Sequence, residues 1–230
     1  MALTGIIAQA RMTSKRLPGK VLMKLDGKPV LHHVMERAKL IKGADVIICA
    51  YPEKQDEIGD LARSLGCEAF AGPEHDVLKR YWLAALKFEL DVIVRVTCDC
   101  ALLHPGVSAD VIKLRDREGV DYASNLYPER TFPKGFDTEV FTWDALDYAH
   151  SYTWDPLDAN SFAVDDYDRE HVTPLLQSDD KISKALLRQP VDESEVNYCV
   201  DEPGDIERIE KLMHAWKQVS LRELESAASH

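Results

Sequence analysis

From residue 4 to residue 119 the chain alternates short apolar runs with segments of helix length, and this limits its fold more than any other feature. "LTGIIA", "DVIICAY", "CEAFAG" and "DVIVRVTC" are rich in β-branched residues and read as strands. Between them, "PVLHHVMERAKLI" sets Val30, Leu31, Val34, Met35 and Ala38 on one helical face. "EKQDEIGDLARSLG" reads as a helix stopped at Gly66, and "HDVLKRYWLAALKF" and "GVSADVIKLRDREG" as two more. Strands joined through helices of this length run parallel, because the crossover returns the chain to the same sheet edge. Helices then cover both faces, so the expected class is α/β with a mostly parallel central sheet.

After Gly119 the alternation weakens. "DYASN" and "DTEVFTW" read as strands, with Pro128, Pro133 and Gly135 between them. Residues 151–168 are polar and aromatic with little periodicity and read as a long excursion, a type of segment that is usually functional or interfacial. "NYCVD" predicts a short returning strand, and "PGDIERIEKLMHAWKQV" a closing amphipathic helix. With no internal repeat and no low-complexity linker, a single domain over 1–230 is expected, its halves meeting near residue 120.

Composition narrows the partners. The chain holds 40 acidic and 28 basic residues, a formal net charge of -12, which disfavours a nucleic-acid partner. No apolar run is long enough to span a bilayer, and "MALTGIIAQAR" lacks a basic region followed by an apolar core. Cytoplasmic residence, with no membrane partner, is the expectation. Cys49, Cys67, Cys98, Cys100 and Cys199 lie mostly in apolar runs and read as reduced, buried thiols.

Against this acidic background, "GIIAQARMTSKRLPGK" gathers Arg11, Lys15, Arg16 and Lys20 just after the first strand. Open α/β sheets bind ligands beyond the carboxyl ends of their strands. Arg11 and Lys20 there suit phosphate oxygens, with Ser14 adding a hydroxyl. The loop has neither Walker nor GxGxxG spacing, and on charge alone a solvated basic loop competes equally. Asp99, after "DVIVRVTC", and Asp201, after "NYCV", end apolar strands and could project over one sheet edge. Paired carboxylates there suit magnesium, while helix capping is the alternative, above all for Asp201 before "EPGDIERIEKL".

Elsewhere, Asp76 and Arg80 have the i, i+4 spacing of a helical ion pair, and Asp137 and Glu139 the alternation of one strand face. Arg169 suits bidentate binding of a carboxylate or phosphate. His171 reads as a general base or a hydrogen-bonded structural histidine. A zinc set of Cys98, Cys100, His104 and Cys199 is conceivable, but alternate strand cysteines do not form a tetrahedron, and buried thiols read better.

Seven blocks, in order, resemble the cytidylyltransferases of the spore-coat polysaccharide F type, relatives of the acylneuraminate and 3-deoxy-manno-octulosonate cytidylyltransferases. They are "QARMTSKRLPGKVL", "EHDVLKRY", "DVIVRVTCDCALLHP", "DYASN", "FPKGFDTEVF", "REHVTP" and "VDEPGDIERI". The resemblance implies a nucleotide-diphospho-sugar transferase, Rossmann-like fold and magnesium-dependent transfer of CMP from CTP, with pyrophosphate released. The implied acceptor is a sugar acid or a related phosphate or phosphonate. The nucleotide would occupy the half from about 1 to 120, and the acceptor and a homodimer contact the half from about 121 to 205.

Residue by residue, the resemblance implies catalytic roles for Arg11, Lys20 and Asp99, and magnesium on Asp99 and Asp201. Ala8, Ala10, Arg11, Ser14, Lys20, Asp76, Arg80 and Asp99 would meet the nucleotide, Arg80 beside the base. Asn125, Lys134, Asp137, Glu139, Arg169 and His171 would meet the acceptor. Tyr152, Trp154, Phe162 and Tyr167 of the excursion are expected at the dimer contact.

The chain departs from the family where Gly-Asp-Cys-Pro is usual. It reads Cys98, Asp99, Cys100, Ala101, with His104 where aspartate is common. The added side chain of Cys98 either turns into the sheet or alters the nucleotide pocket. Two other readings are a glycosyltransferase using the "DYD" of residues 166–168 and a nucleotide-binding protein without turnover.

Overall fold

The computed structural model describes residues 2–153 and 166–228, and the side chains of these except 166 and 217–228. In chain order, β1 (Thr4–Gln9), β2 (Lys24–Leu25) and β3 (Lys28–Pro29) precede α1 (Val30–Ala38), β4 (Val46–Pro52), α2 (Asp56–Ser64) and β5 (Glu68–Gly72). Next come α3 (Val77–Lys87), β6 (Val92–Thr97), α4 (Pro105–Glu118), β7 (Tyr122–Ser124), β8 (Glu139–Thr142) and α5 (Trp143–Tyr152). The rest are α6 (Asp166–His171), α7 (Pro174–Ser178), β9 (Lys184–Leu186) and α8 (Pro203–Ala228).

Seven strands form one sheet in the order β5-β4-β1-β6-β8-β7-β9. β5, β4, β1 and β6 are parallel, as the first-half alternation requires. β8 runs antiparallel to both its neighbours, β6 and β7. The two-residue strands β2 and β3 pair as a hairpin turned by Asp26 and Gly27, both at positive φ (49° and 78°). The sheet is therefore mostly parallel, with helices on both faces and a small antiparallel hairpin beside it.

The strand period of two divides the core. Ile6, Ala8, Val94, Val96 and Cys98 pack on one face, with Leu31, Val34 and Met35 of α1. Ile7, Ile48 and Ile93 pack on the other, with Leu78 and Tyr81 of α3. Because both faces are covered, the central strands read as near-continuous apolar runs. A third cluster joins Leu17, Leu25, Ala101, Leu102, Val200, Ile209 and Met213. It fastens the cation-rich loop, the loop after β6 and the segment before α8 to one another.

Three sequence expectations change. "NYCVD" is no strand: Asn197 makes an isolated bridge with Lys134. Beyond it the Cys199 N–H donates to Asn197 Oδ1 (2.8 Å) and the Val200 N–H to the Asp99 carbonyl (2.9 Å), so no ladder can extend. Gly135, at φ +102°, allows the bridge, since a Cβ there would lie 3.0 Å from the Tyr198 backbone. Second, residues 151 and 152 complete α5, capped by Thr142, and residues 166 to 168 begin α6. Third, α7, β9 and the β2–β3 hairpin have no counterpart in the sequence reading.

Candidate active site

At the carboxyl ends of β1 and β6 a cleft of about 370 Å³ opens between the loop after β1, the start of α3, α6 and Asp201. Six of its lining residues are cationic (Arg11, Lys15, Arg16, Lys20, Arg80 and Arg95) and three are carboxylates (Asp99, Glu170 and Asp201). Within a chain of net charge -12, the cations crowded after the first strand thus gather, with three carboxylates, around one cleft.

The loop is shaped by its own backbone. The Gly19 N–H donates to the Met12 carbonyl (2.7 Å) at φ +73°, and the Met12 N–H donates to Gln55 Oε1 (2.7 Å). Lys20 is thereby carried inward. Its ammonium donates to Asp99 Oδ2 (2.7 Å) and Asp201 Oδ1 (2.9 Å), bringing together carboxylates 102 positions apart in the chain. Arg16 Nη2 also meets Asp201 Oδ1 at 2.9 Å, and the Thr97 hydroxyl donates to Asp99 Oδ1 at 2.6 Å.

Burial alone would lower the Lys20 pKa, but the facing Asp99 and Asp201 hold it above the ordinary lysine value. Burial would likewise raise that of Asp99, but Lys20 and the Thr97 hydroxyl hold it below the ordinary carboxylate value. A charged lysine and an ionised aspartate are the resting state of this corner.

Across the cleft, Arg11 Nη2 meets Glu170 Oε1 of α6 at 3.1 Å. Arg80 is almost wholly buried; its Nη1 donates to the Pro73 carbonyl (2.7 Å), while its Nε has no hydrogen-bond partner. Burial pushes its pKa down to about 10. Burial also lowers that of His171; Glu170 opposes this, and Arg95 and Arg11 add to it. Ala10 and Ser14 complete the expected residues that line the cleft.

Other expected residues stand elsewhere. Ala8 lies in the core, its backbone in register between Cys49 and Val96. Asp76 does not pair with Arg80, because it precedes the helix: as the α3 N-cap it accepts from the Lys79 N–H (2.9 Å). Its other oxygen pairs with Arg169, which also reaches Thr153 Oγ1 (3.0 Å) and the His150 carbonyl (3.3 Å). The Arg169 guanidinium thus ties α6 to α3 and α5 instead of lining the cleft.

Asn125 is fully buried, accepting from the Thr138 N–H and donating to the Phe136 carbonyl, both at 2.9 Å. Lys134 is exposed outside the cleft. Asp137 precedes β8 and is gripped by both terminal nitrogens of Arg130. Glu139 begins β8 and pairs with Arg95 instead, so Asp137 and Glu139 serve different partners.

Cys98 turns its thiol to the opposite face of the sheet from Thr97, where it hydrogen-bonds Cys49, and its pKa rises through burial and that contact. The zinc alternative falls with this geometry. Cys100 faces Cys199 (Sγ–Sγ 3.8 Å), and His104 accepts the Val107 N–H as the α4 cap. Among the described residues no group of three or more His, Cys, Asp or Glu is placed to hold a metal. Two hard carboxylates around the Lys20 ammonium, with Arg16 also on Asp201, remain, the protein share magnesium needs when substrate phosphates and water complete its shell.

Sequence reading missed four polar lining residues, Gln9, Arg95, Thr97 and Glu170. For Arg95 a signal existed: an arginine within the buried run "VIVRVT" needs a partner or a ligand.

A cation-lined cleft at the carboxyl ends of a mostly parallel sheet is the place where α/β folds of this kind hold their ligands. The family model for cytidylyltransferases matches residues 5–226, and the chain belongs to that family of CTP-dependent nucleotidyltransferases. An uncharacterised protein of Methanocaldococcus jannaschii is 36% identical over 192 residues, 83% of this chain and 73% of that one. The spore coat polysaccharide biosynthesis protein SpsF of Bacillus subtilis is 30% identical over 179 residues, 75% of this chain and 69% of its own. A shorter match, to the 3-deoxy-manno-octulosonate cytidylyltransferase of Chloroherpeton thalassium, is 36% identical over 102 residues, 44% of this chain and 41% of that one. A cytidylyltransferase structure from Leptospira borgpetersenii superposes with TM-score 0.82 at 27% identity, covering 91% of this chain and 86% of that one.

Proposed function

We propose that the protein transfers CMP from CTP to a sugar acid, releasing pyrophosphate, with Mg²⁺ held by Asp99 and Asp201. One observation carries this reading: Asp99 and Asp201 share a single cation, the Lys20 ammonium, inside a cleft rich in further cations. When bound, magnesium offsets phosphate charge and favours departure of pyrophosphate. Arg11, Lys15, Arg16 and Lys20 bind and orient the triphosphate, and Arg80 meets the base. The acceptor oxygen attacks the α-phosphorus in line, and the bond from that phosphorus to the bridging oxygen breaks. His171, held neutral by its surroundings, accepts the proton of an acceptor hydroxyl. Catalysis then rests on positioning and charge stabilisation.

The chain acts as a single domain, nucleotide on residues 1 to about 120 and acceptor mainly on about 121 to 205, in the cytoplasm as a homodimer. Two observations support parts of this. No helix among the described residues is long and apolar enough to cross a membrane. Tyr152 and Tyr167, 53% and 57% exposed, lie near the two ends of the excursion assigned to the dimer contact; Trp154 and Phe162 lie outside the described residues. The glycosyltransferase reading is weaker, since its tripeptide begins α6 while β6 leads into Asp99.

The test is pyrophosphate release from each of the four triphosphates against sugar acids, sugar phosphates and phosphonates, with magnesium and after chelation. Release with CTP and a sugar acid that stops on chelation and returns with magnesium is expected. Release with every acceptor class from another triphosphate, or none at all, would overturn the reading.

A further inference from the structure

β6 is apolar on both faces until Arg95, which sits two residues before Thr97 and four before Asp99. Directly opposite, across the antiparallel pair with β8, is Glu139, whose carboxylate takes an Arg95 Nη1 hydrogen bond. Glu139 is 1% exposed and held from two further elements. Its Oε1 accepts from the Tyr122 hydroxyl (2.7 Å) of β7 and from Gln177 Nε2 (3.1 Å) of α7. A buried glutamate needs one cation, which Arg95 supplies. The arrangement goes further than that need, because Arg95 Nε is buried without a partner while the residue lines the cleft.

Position in the sheet separates buried Arg80 from half-buried Arg95. Arg80 reaches the carbonyl just after β5, on the first-half side of β1. Arg95 lies on the other side of β1, against β8, on the side of the second-half strands. The loop cations Arg11 and Lys20 stand beyond the strand ends, whereas Arg95 is about 7 Å further down the strand than Thr97. A guanidinium fixed there, with a free planar N–H, is suited to a carboxylate at the far end of the ligand from the base.

We propose that Arg95 receives the carboxylate of the acceptor and thereby selects acidic acceptors, with Glu139, Tyr122 and Gln177 as positioning residues that fix its guanidinium. The proposal rests on the cytidylyltransferase reading above. It adds an acceptor contact from β6, within the nucleotide half but beside the second-half strand β8, that neither the opening loop nor the paired carboxylates supply.

The test compares Arg95→Lys, Glu139→Gln and the double variant Arg95→Met with Glu139→Gln, in which no buried carboxylate is left uncompensated. The probes are 3-deoxy-manno-octulosonate, its neutral carboxamide and CTP. For Arg95→Lys and the double variant, the KM for the acid should rise at least about tenfold, while the CTP Kd from calorimetry stays within about twofold. The preference for acid over carboxamide should collapse. Glu139→Gln should shift the acid KM in the same direction by less. Folded variants with an unchanged acid KM would reduce Arg95 to a counterion of Glu139 and overturn the proposal, as would an equal loss of CTP affinity. If the wild-type protein releases no pyrophosphate at all, calorimetry of the acid against the CTP-saturated protein still decides. Binding lost in the Arg95 variants upholds the proposal, and absent or unaltered binding overturns it.

Discussion

Lys20 concentrates the argument at the scale of single residues, because one ammonium joins the opening loop to both strand-end carboxylates. Lys20→Ala should lower kcat by roughly 100-fold or more, about 2.7 kcal/mol of transition-state stabilisation, and weaken CTP binding less. Stopped-flow pyrophosphate release and calorimetry measure the two effects; a near-normal kcat would remove Lys20 from the mechanism. Cys98 makes the opposite case. Its thiol faces Cys49 across the core, so Cys98→Gly should leave the preferred nucleotide unchanged. It should cost about 1–3 kcal/mol in urea unfolding, for lost burial and added chain entropy. A switch of nucleotide in that variant would show that Cys98 shapes the pocket after all.

At the scale of elements, α6 carries Glu170 and His171 to the cleft but is short, so its position depends on what holds it. The buried Arg169–Asp76 pair does so, with Thr153 and the His150 carbonyl as further anchors. Arg169→Met leaves Asp76 facing the protein interior without its cation and should destabilise the fold by about 3–5 kcal/mol. Its melting temperature would report this; an unchanged value would mean that α6 is held by other contacts.

On the neighbouring α5, His150 stacks on Trp82 with ring centroids 4.5 Å apart. Burial lowers its pKa from 6.5, as does Arg169, with Lys79 in the same sense and Asp76 and Asp147 opposing. Folded protein therefore resists a proton that the unfolded chain accepts. Stability is full above about pH 6.5 and falls as pH drops through and below it. Urea midpoints at about pH 8 and about pH 5.5 should differ less in His150→Phe, which keeps the stack and loses the titration. An identical slope in that variant would assign the acid sensitivity to other groups.

For the whole molecule, the expected property is self-association. The exposed Tyr152 and Tyr167 at the borders of the excursion are a costly pair to leave in water. Light scattering should give a mass near twice that of the chain at micromolar concentration, and Tyr152→Asp with Tyr167→Asp should halve it. A monomer at every concentration would count against the dimer.

What the sequence determined by itself was the periodic and the local. The near-continuous apolar runs "GIIAQ" and "DVIVRVT" dictated buried parallel strands, because a strand covered on both faces must be apolar on both. The ordered blocks led to the family, and the family resemblance, not the four charges alone, favoured a phosphate role for the cations after β1. Tertiary structure alone decided the partners. Asp76 turned from Arg80 to Arg169 because a residue at a helix cap lacks helical geometry, whatever its spacing. Glu139, expected at the acceptor, pairs with Arg95 because its strand, legible in "DTEVFTW", lies antiparallel beside β6, a neighbour that local pattern does not name. "NYCVD" lost its ladder to one carbonyl of the loop after β6. In each case the deciding contact joins residues distant in the chain, and charge pairing at such range depends on which strands become neighbours, which no window of sequence contains.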